Sequence, residues 1–320
     1  MNVLVVNAGS SSLKLSLLDP ADEILAGTEV QHWDTEDPPP ALHSFLNALP
    51  RVDAVGHRIV HGGPKLTAAA VIDPAVRREI EAVTDLAPLH QPRALAGIDA
   101  VSALLPGVPA VACFDTAFHA GMPAAAATYA LPAAWRERFG LRRYGFHGLS
   151  HAYASRRAAQ LLGTAPERLR IVSCHLGAGA SLAAIQHGQS VDTTMGFTPL
   201  EGLVMATRAG NTDPGLLVWL LQDGRLSLGE LSTGLEQRSG LAGLAGQADI
   251  RDVLRNADAG DPAATTAIDV YLHRLRQLIA GMAAAMDGLD VLVFTGGVGE
   301  HQPPIRARAV PGFLGAAIDD

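Results

Sequence analysis

Cysteine is almost absent. The chain has two, Cys113 and Cys174, among 320 residues. Each falls in an apolar stretch that reads as a strand, and no C-x-x-C pair exists, so a disulfide scaffold is excluded and both read as buried thiols. Positive charge is also in deficit: 24 Lys and Arg against 32 Asp and Glu leave a formal net charge of −8. Such a surface repels nucleic acid and anionic membranes, so neither is an expected partner. Any phosphate-binding cations must then be gathered locally in a cleft. There is no basic leader, no signal-cleavage pattern and no long apolar run, and the residues from Met1 to Asn7 enter a strand pattern at once. The expected location is the cytoplasm.

Several catalytic signatures are missing as well. No GxxxxGK[ST] loop occurs, which removes the P-loop reading, and no GxGxxG opens a helix. No GxSxG marks a serine hydrolase. His147 and His151 are four apart, but Gly148 follows the first and the stretch between them reads as a turn. That argues against a helical zinc pair.

What is present is a sizeable core. Apolar residues make up 48% and charged residues 18%, which excludes a disordered chain, and the length points to two domains. Val3 to Val6 and Leu13 to Leu18 flank a small-residue turn from Asn7 to Ser12 and read as a hairpin. The prolines within residues 36–40 mark a loop. Val52 to Val60 reads as a strand, Asp73-Pro74 opens a helix to about Thr84, Arg93 to Leu105 reads as a second helix, and Val108 to Phe114 is a strand running into Asp115. Past Tyr144 the pattern restarts. His151 to Leu162 reads as a helix, Leu169 to His175 as a strand, Leu176 to Ser181 as a turn and Leu182 to Gln186 as the returning strand. Leu216 to Gln222 and Pro262 to Met286 read as helices, and the strand Val291 to Thr295 runs into a glycine turn, Gly296 to Gly299. Strands alternating with helices give an α/β fold. The repeated strand–turn–strand unit points to two domains of related topology with a cleft between them.

Glycine-rich turns bind phosphate because their N–H groups converge and no Cβ blocks approach. Three such turns follow apolar strands here, at Asn7–Ser12, Leu176–Ser181 and Gly296–Gly299. Cations and imidazoles also gather at strand ends and loops: GHRIVHGG at 56–63, LAPLH at 86–90, FDTAFH at 114–119, RYGFHGLSH at 143–151 and MATRAGNTD at 205–213. Phosphoryl transfer needs positioning, a metal and fixed positive donors rather than covalent help. These clusters match that need.

The segments VNAGSSSLK (6–14), GHRIVHGG (56–63), FDTAFH (114–119), RYGFHG (143–148), MGFTPLEG (195–202) and FTGGVGE (294–300) resemble the acetate/propionate/butyrate kinase family, in order from Asn2 to about Asp319. The resemblance implies two domains of duplicated ribonuclease-H-like topology, as in actin, hexokinase and Hsp70, with the active site in the interdomain cleft. Residues 1–147 would form the acid- and phosphate-binding domain, and 148–320 the nucleotide-binding and dimerisation domain of a homodimer. It implies reversible transfer from ATP to acetate, giving acetyl phosphate and ADP, with Mg²⁺ or alternatively Mn²⁺. Asn7 would help hold the metal, with Ser10, Ser12 and Lys14 near the phosphates. Arg58 and Arg208 would bind the carboxylate and the transferred group, His147 its equatorial oxygens, with His90 nearby and Asp115 as the essential carboxylate. Val60, Leu89, Phe146 and Pro199 would form the methyl pocket. His175, Leu176, Gly177, Ala178, Gly179, Asp249, Ile250, Arg251, Gly297, Val298, Gly299, Glu300 and His301 would line the ATP site.

The chain departs from that pattern on the nucleotide side. Ala178 stands where the family has Asn, Ala180 where it has Ser, and His301 where it has Asn. These exchanges remove hydrogen-bonding groups and keep the backbone cradle, so weaker or altered nucleotide binding is expected. The family continues past the position of Asp320 through a strand and a closing helix that carries a metal-site glutamate. Without that segment, apolar surface on the first domain would lie uncovered. Alternative readings are propionate or butyrate as the acid, pyrophosphate as the donor, and a non-catalytic nucleotide- or acid-binding remnant.

Overall fold

The computed structural model describes residues 1–9, 12–31, 40–310 and 312. Ser10, most of the proline loop and the last residues of the family resemblance lie outside them. By its internal contacts the chain divides into two compact units, Met1–Ala120 and Gly121–Asp320. The sequence reading sets a boundary after His147. Residues 121–147 instead make their described contacts with the second unit, for example Tyr144 N–H to the Gly196 carbonyl at 3.1 Å.

The first unit runs β1 (Val3–Ala8), β2 (Ser12–Leu18), β3 (Ile24–Gln31), α1 (Pro40–Ala48), β4 (Ala54–Ile59), β5 (Ala70–Val71), α2 (Pro74–Ala82), α3 (Gln91–Leu104) and β6 (Ala110–Phe114). Its described strands form a six-stranded sheet in the order β3-β2-β1-β4-β6-β5. The first three strands are an antiparallel meander, while β1, β4 and β6 run parallel. The expected hairpin is β1–β2. Alternation decides which faces are buried: Leu4, Val6 and Ala8 of β1 and Leu13, Leu15 and Leu17 of β2 point to one side, where Leu42, Leu46 and Val101 of α1 and α3 cover them. The α2 helix starts where Asp73 caps it, its carboxylate accepting from the Ala75 and Val76 N–H groups with Pro74 in the first turn.

The second unit comprises α4 (Ala124–Ala127), α5 (Ala133–Phe139), α6 (Gly148–Leu161), β7 (Arg170–Leu176), β8 (Ala180–Gln186), β9 (Gln189–Thr193), α7 (Pro214–Leu221), α8 (Leu228–Gln237), α9 (Gly240–Ala245), α10 (Ile250–Asp258), α11 (Pro262–Ala284), β10 (Val291–Thr295), α12 (Gly296–His301) and α13 (Pro303–Ala309). The sheet order is β10-β7-β8-β9, with β7 antiparallel to β8 and parallel to β10. This repeats the first unit's β4-β1-β2-β3. β8 is buried at every position from Ala180 to Ile185, so both faces of the sheet are covered there. The long α11 supplies one cover, burying Ala267, Ile268, Tyr271, Leu272, Leu275 and Ile279 at helical spacing.

Two elements differ from the sequence reading in ways that matter for the site. α6 begins at Gly148, so the stretch between His147 and His151 is helical, not a turn. Gly296–Gly299 is likewise the first turn of α12. Among the described residues, no helix is long and apolar enough to cross a membrane.

Two imidazoles of the first unit are sealed inside it. His57 is 2% exposed and His61 fully buried, and the Gly63 N–H donates to His61 Nδ1 at 2.8 Å. Burial pushes both from 6.5 down to about 4. Between those values the unfolded chain binds more protons than the folded one, so stability rises with pH there. The contribution is fully present above 6.5 and is lost as pH falls toward 4, on the order of 3 kcal/mol per imidazole. Urea unfolding followed from neutral pH downward should show the midpoint falling across this window. A His57→Phe variant should show a shallower fall, and a flat wild-type profile contradicts the assignment.

Candidate active site

In the first unit the site grows from the carboxyl ends of three neighbouring parallel strands. Asn7 of β1 and Arg58 of β4 are cross-strand partners, and Asp115 follows β6 directly. The Arg58 Nε lies 3.2 and 3.1 Å from the two Asp115 oxygens, its Nη2 donates to Oδ2 at 2.6 Å, and its Nη1 donates to Asn7 Oδ1 at 3.1 Å. The Asp115 side chain is only 3% exposed, against 27% for Arg58. Burial works against the guanidinium charge, and the Asp115 carboxylate more than offsets it, holding the Arg58 pKa above its ordinary value. A fixed cation therefore sits at the carboxyl end of a central strand, partly open to solvent.

The same three residues decide whether a metal fits. Asn7 and Asp115 offer oxygen donors, each bonded to the Arg58 guanidinium, and among the described residues no group of three or more His, Cys, Asp or Glu side chains could form a metal cage. Such a pair fits only a divalent cation that keeps several waters and takes one or two protein oxygens plus phosphate. Ser12 and Lys14, expected near phosphates, are both turned onto Glu29 of β3, with Ser12 Oγ donating at 2.8 Å and Lys14 Nζ at 3.5 Å. His90 is the half-buried residue preceding α3. Val60 is buried and Leu89 is 48% exposed.

In the second unit His147 occupies the N-cap of α6 in a left-handed conformation, φ 56° and ψ 21°. Its ring stacks on His175 at 4.3 Å between centroids, and Ser150 Oγ lies 2.8 Å from His175 Nδ1. Gly179, in the turn from β7 to β8, faces both His147 and Arg208. A Cβ built there would lie 3.6 Å from His147 Nε2 and 3.4 Å from Arg208 Nη1. Arg208 is presented by a tight turn in which the Met205 N–H donates to the Arg208 carbonyl. Around it, Leu241 and Ala242 at the start of α9 donate to the Met205 and Ala206 carbonyls, and Ala206 donates to the Ala178 carbonyl. Gly240 must be glycine for this packing. Its φ is +62°, and a Cβ would stand 2.1 Å from the Met205 carbonyl oxygen. Arg208 Nη1 reaches the Pro199 carbonyl at 3.4 Å, and burial lowers its pKa from the ordinary value. Phe146 is 1% exposed.

A cavity of about 340 Å³ opens beside this turn, walled by Gly177, Ala178, Asp249, Ile250 and Val298 together with Tyr271 and Leu241. Five residues expected at the nucleotide site are thus brought together. Tyr271 and Leu241 were not in the sequence reading, because a buried Tyr or Leu in a helix looks like core. Asp249 caps α10 and pairs with Arg251, whose side chain and backbone hold its carboxyl down at about 2. Of the α12 residues, Val298 lines the cavity, Gly299 is buried and packs close to Phe294, and Glu300 and His301 are exposed.

The sequence reading also missed a network behind Pro199. Tyr129 O–H donates to Glu201 Oε2 at 2.6 Å, Arg143 Nη2 donates to Glu201 Oε1 at 2.5 Å, and the Phe197 N–H donates to the Tyr129 hydroxyl oxygen at 2.8 Å. Arg143 adds bonds to the Thr194 and Met195 carbonyls. These bonds pin the 194–201 loop that offers the Pro199 carbonyl to Arg208. The residues are far apart in sequence, and only the RYGFHG and MGFTPLEG clusters hinted at them.

Two α/β units of ribonuclease-H-like strand order, with cations and a phosphate-type turn at the carboxyl ends of their parallel strands, define a phosphotransferase of the actin/hexokinase/Hsp70 class. Comparison with known proteins narrows this. The Acetokinase family matches residues 41–320. An acetate kinase of Synechococcus sp. is 45% identical, the match covering 100% of this chain and 89% of that protein. One from Shouchella clausii is 43% identical over 99% and 89%. Among solved structures, the acetate kinase of Porphyromonas gingivalis superposes with a TM-score of 0.91 at 39% identity, covering 99% of this chain and 89% of that one. A propionate kinase from Francisella tularensis gives 0.90 at 36%, covering 96% and 86%. The chain belongs to the acetokinase family.

The geometry at Gly179 makes a direct prediction. Its Cβ would meet His147 and Arg208 at ordinary contact distance, so Gly179→Ala should fold with an unchanged melting temperature. The methyl group nevertheless stands between the two donors, and kcat should fall by about tenfold or more. Wild-type kcat in a folded Gly179→Ala enzyme contradicts the placement.

Proposed function

We propose that this chain transfers a phosphoryl group reversibly between ATP and acetate, giving acetyl phosphate and ADP. The observation that carries the reading is the turn 177–179. Gly177 and Ala178 wall the cavity, and the next residue, Gly179, faces His147 and Arg208. A nucleoside seated in the cavity then has its phosphates led toward two fixed donors. The names of the relatives support acetate as the acid.

A free carboxylic acid titrates near ~4 and is ionised at neutral pH, so the nucleophile needs no general base. The barrier is one anion approaching another. Arg58 holds the carboxylate, and Asp115 fixes Arg58. Arg208 and His147 donate to the equatorial oxygens of the transferred group, with His90 near them. Val60, Leu89, Phe146 and Pro199 face the methyl group, and one methylene is worth only about 1–3 kcal/mol, so propionate is turned over less well rather than refused. Ser10, Ser12 and Lys14 meet the nucleotide phosphates, which requires Ser12 and Lys14 to let go of Glu29. Asp249 to Arg251 and the 297–301 segment flank the nucleoside. Asn7 and Asp115 would hold the divalent cation, Mg²⁺ or Mn²⁺, which when bound neutralises charge on the phosphates.

The cavity wall favours ATP over pyrophosphate. Ile250, Val298, Leu241 and Tyr271 form an apolar lining that a nucleoside base can cover and an inorganic anion cannot. Location in the cytoplasm and a homodimer through the second unit complete the reading. The dimer is supported by α7, an apolar helix without a buried residue, on which Leu216, Val218 and Trp219 are 45%, 57% and 50% exposed.

The test is incubation of the purified chain with ATP, Mg²⁺, acetate and hydroxylamine, with pyrophosphate and propionate in parallel. Acetyl hydroxamate should form with ATP, and silence with every donor and acid would sink the proposal. Arg208→Ala should keep the fold and lose roughly 10²–10³ in kcat, about 3–4 kcal/mol of transition-state stabilisation; wild-type kinetics would reject its role. Trp219→Glu should shift the light-scattering mass from dimer to monomer, and an unchanged mass removes α7 from the interface.

A further inference from the structure

The imidazole of His147 does not stand alone. Its Nδ1 lies 2.9 Å from Ser181 Oγ on β8. That hydroxyl is also 2.8 Å from Nε2 of His151, one helical turn further along α6. The other ring nitrogen of His151, Nδ1, is 2.9 Å from Ser173 Oγ on β7. His151, Ser173 and Ser181 are each 0% exposed. Two serines and two histidines thus alternate in a buried chain that ends at the ring facing Arg208 across Gly179.

Proton counting restricts what this chain can be. A serine hydroxyl carries one hydrogen, so between two ring nitrogens it donates to one and accepts from the other. A neutral imidazole likewise donates from one nitrogen and accepts at the other. The directions are therefore locked together. In one arrangement Ser173 donates to His151 Nδ1, His151 Nε2–H donates to Ser181, and Ser181 donates to His147 Nδ1. The His147 proton is then on Nε2, the nitrogen beside Gly179 and Arg208. In the reverse arrangement neutral His147 carries its proton on Nδ1 and turns a lone pair toward the same place, where it repels an anionic oxygen.

We propose that Ser181, His151 and Ser173 are positioning residues that hold His147 in the Nε2–H tautomer, so that a neutral imidazole donates to the transferred phosphoryl group beside the Arg208 guanidinium. This rests on the reading of His147 as such a donor. The left-handed backbone at His147 serves the same end. It brings the ring to the start of α6, where Nδ1 meets Ser181 while Nε2 stays at Gly179. The His175 ring, stacked at 4.3 Å and itself bonded to Ser150, limits rotation of the His147 ring.

The full chain labelled with ¹⁵N-histidine, read by long-range ¹H–¹⁵N spectra at about pH 8 without ligand, tests this. A His147→Asn sample assigns the signals. Wild type should show His147 protonated on Nε2. Ser181→Ala should move the His147 signals toward mixed tautomers and lower kcat about tenfold, with KM for acetate within about twofold. Ser181→Thr, which keeps the hydroxyl, should restore both. Ser173→Ala, three hydrogen bonds from His147, should shift the same signals with a loss of about threefold in kcat, and carries the test if Ser181→Ala does not fold. A wild-type His147 proton on Nδ1 overturns the proposal, as do His147 signals unmoved by either alanine variant, whatever the kinetics. If His147→Asn instead keeps wild-type kcat, the functional reading of His147 fails, and the spectra alone decide the relay.

Discussion

A guanidinium at the end of a buried sheet needs its charge and its donors met, and in the first unit the carboxylate of the pair Arg58–Asp115 meets both. Removing either charge would strand the other in a poorly solvated site, which typically costs about 3–5 kcal/mol. The pair ties β4 to the end of β6, and the Arg58 bond to Asn7 adds β1. Three adjacent parallel strands are thereby fixed at the ends that carry the chemistry. The bonds that hold the candidate site also hold the sheet, so the one cannot be loosened without loosening the other.

In the second unit no ion pair to Arg208 is found among the described residues, and the Glu236 charge only partly offsets its burial. Arg208 is held by backbone geometry instead: a tight turn, two amide bonds from α9, a carbonyl from Ala178 to its neighbour and the Pro199 carbonyl on its side chain. This bears on Ala178, where the family pattern has Asn. The residue still serves the site through its backbone oxygen, which any side chain would supply. In the first unit Asn7, Arg58 and Asp115 emerge at the carboxyl ends of β1, β4 and β6, as open α/β sheets generally place such groups; in the second the turn 177–179 follows β7 and α12 follows β10, while His147 and Arg208 come from a helix cap and a loop turn.

Much of this was legible in the sequence because the strands are short, apolar and bounded by small residues. The β1–β2 and β7–β8 hairpins, their turns and the later β10 strand follow from alternation and punctuation alone. β3 was not, since Ile24–Gln31 has no buried position and carries Gly27 and Glu29 within it. The start of α6 was hidden by Gly148 and Ser150, both weak helix formers, and by a His at the cap where Ser, Thr, Asp or Asn is usual. That error broke the link between His147 and His151, and with it the chain to Ser181 and Ser173, which lie 34 and 22 positions from their partners. Asn7, Arg58, Asp115 and His147 were readable as candidates because they sit in compact motifs. The walls of the cavity were not, because Leu241 and Tyr271 belong to helices whose apolar faces carry no chemical signature.

The left-handed cap at His147 has an evolutionary meaning. An L-residue there is strained by about 1–2 kcal/mol, and glycine is the residue that relieves it. Backbone strain pushes this codon toward glycine, while the ring's bond to buried Ser181, its stack on His175 and selection for the imidazole oppose that drift. Position 147 is therefore held against its own backbone: once the reaction no longer matters, the strain is opposed only by the bond to Ser181 and the stack on His175, whereas the Arg58–Asp115 pair still ties three strands together.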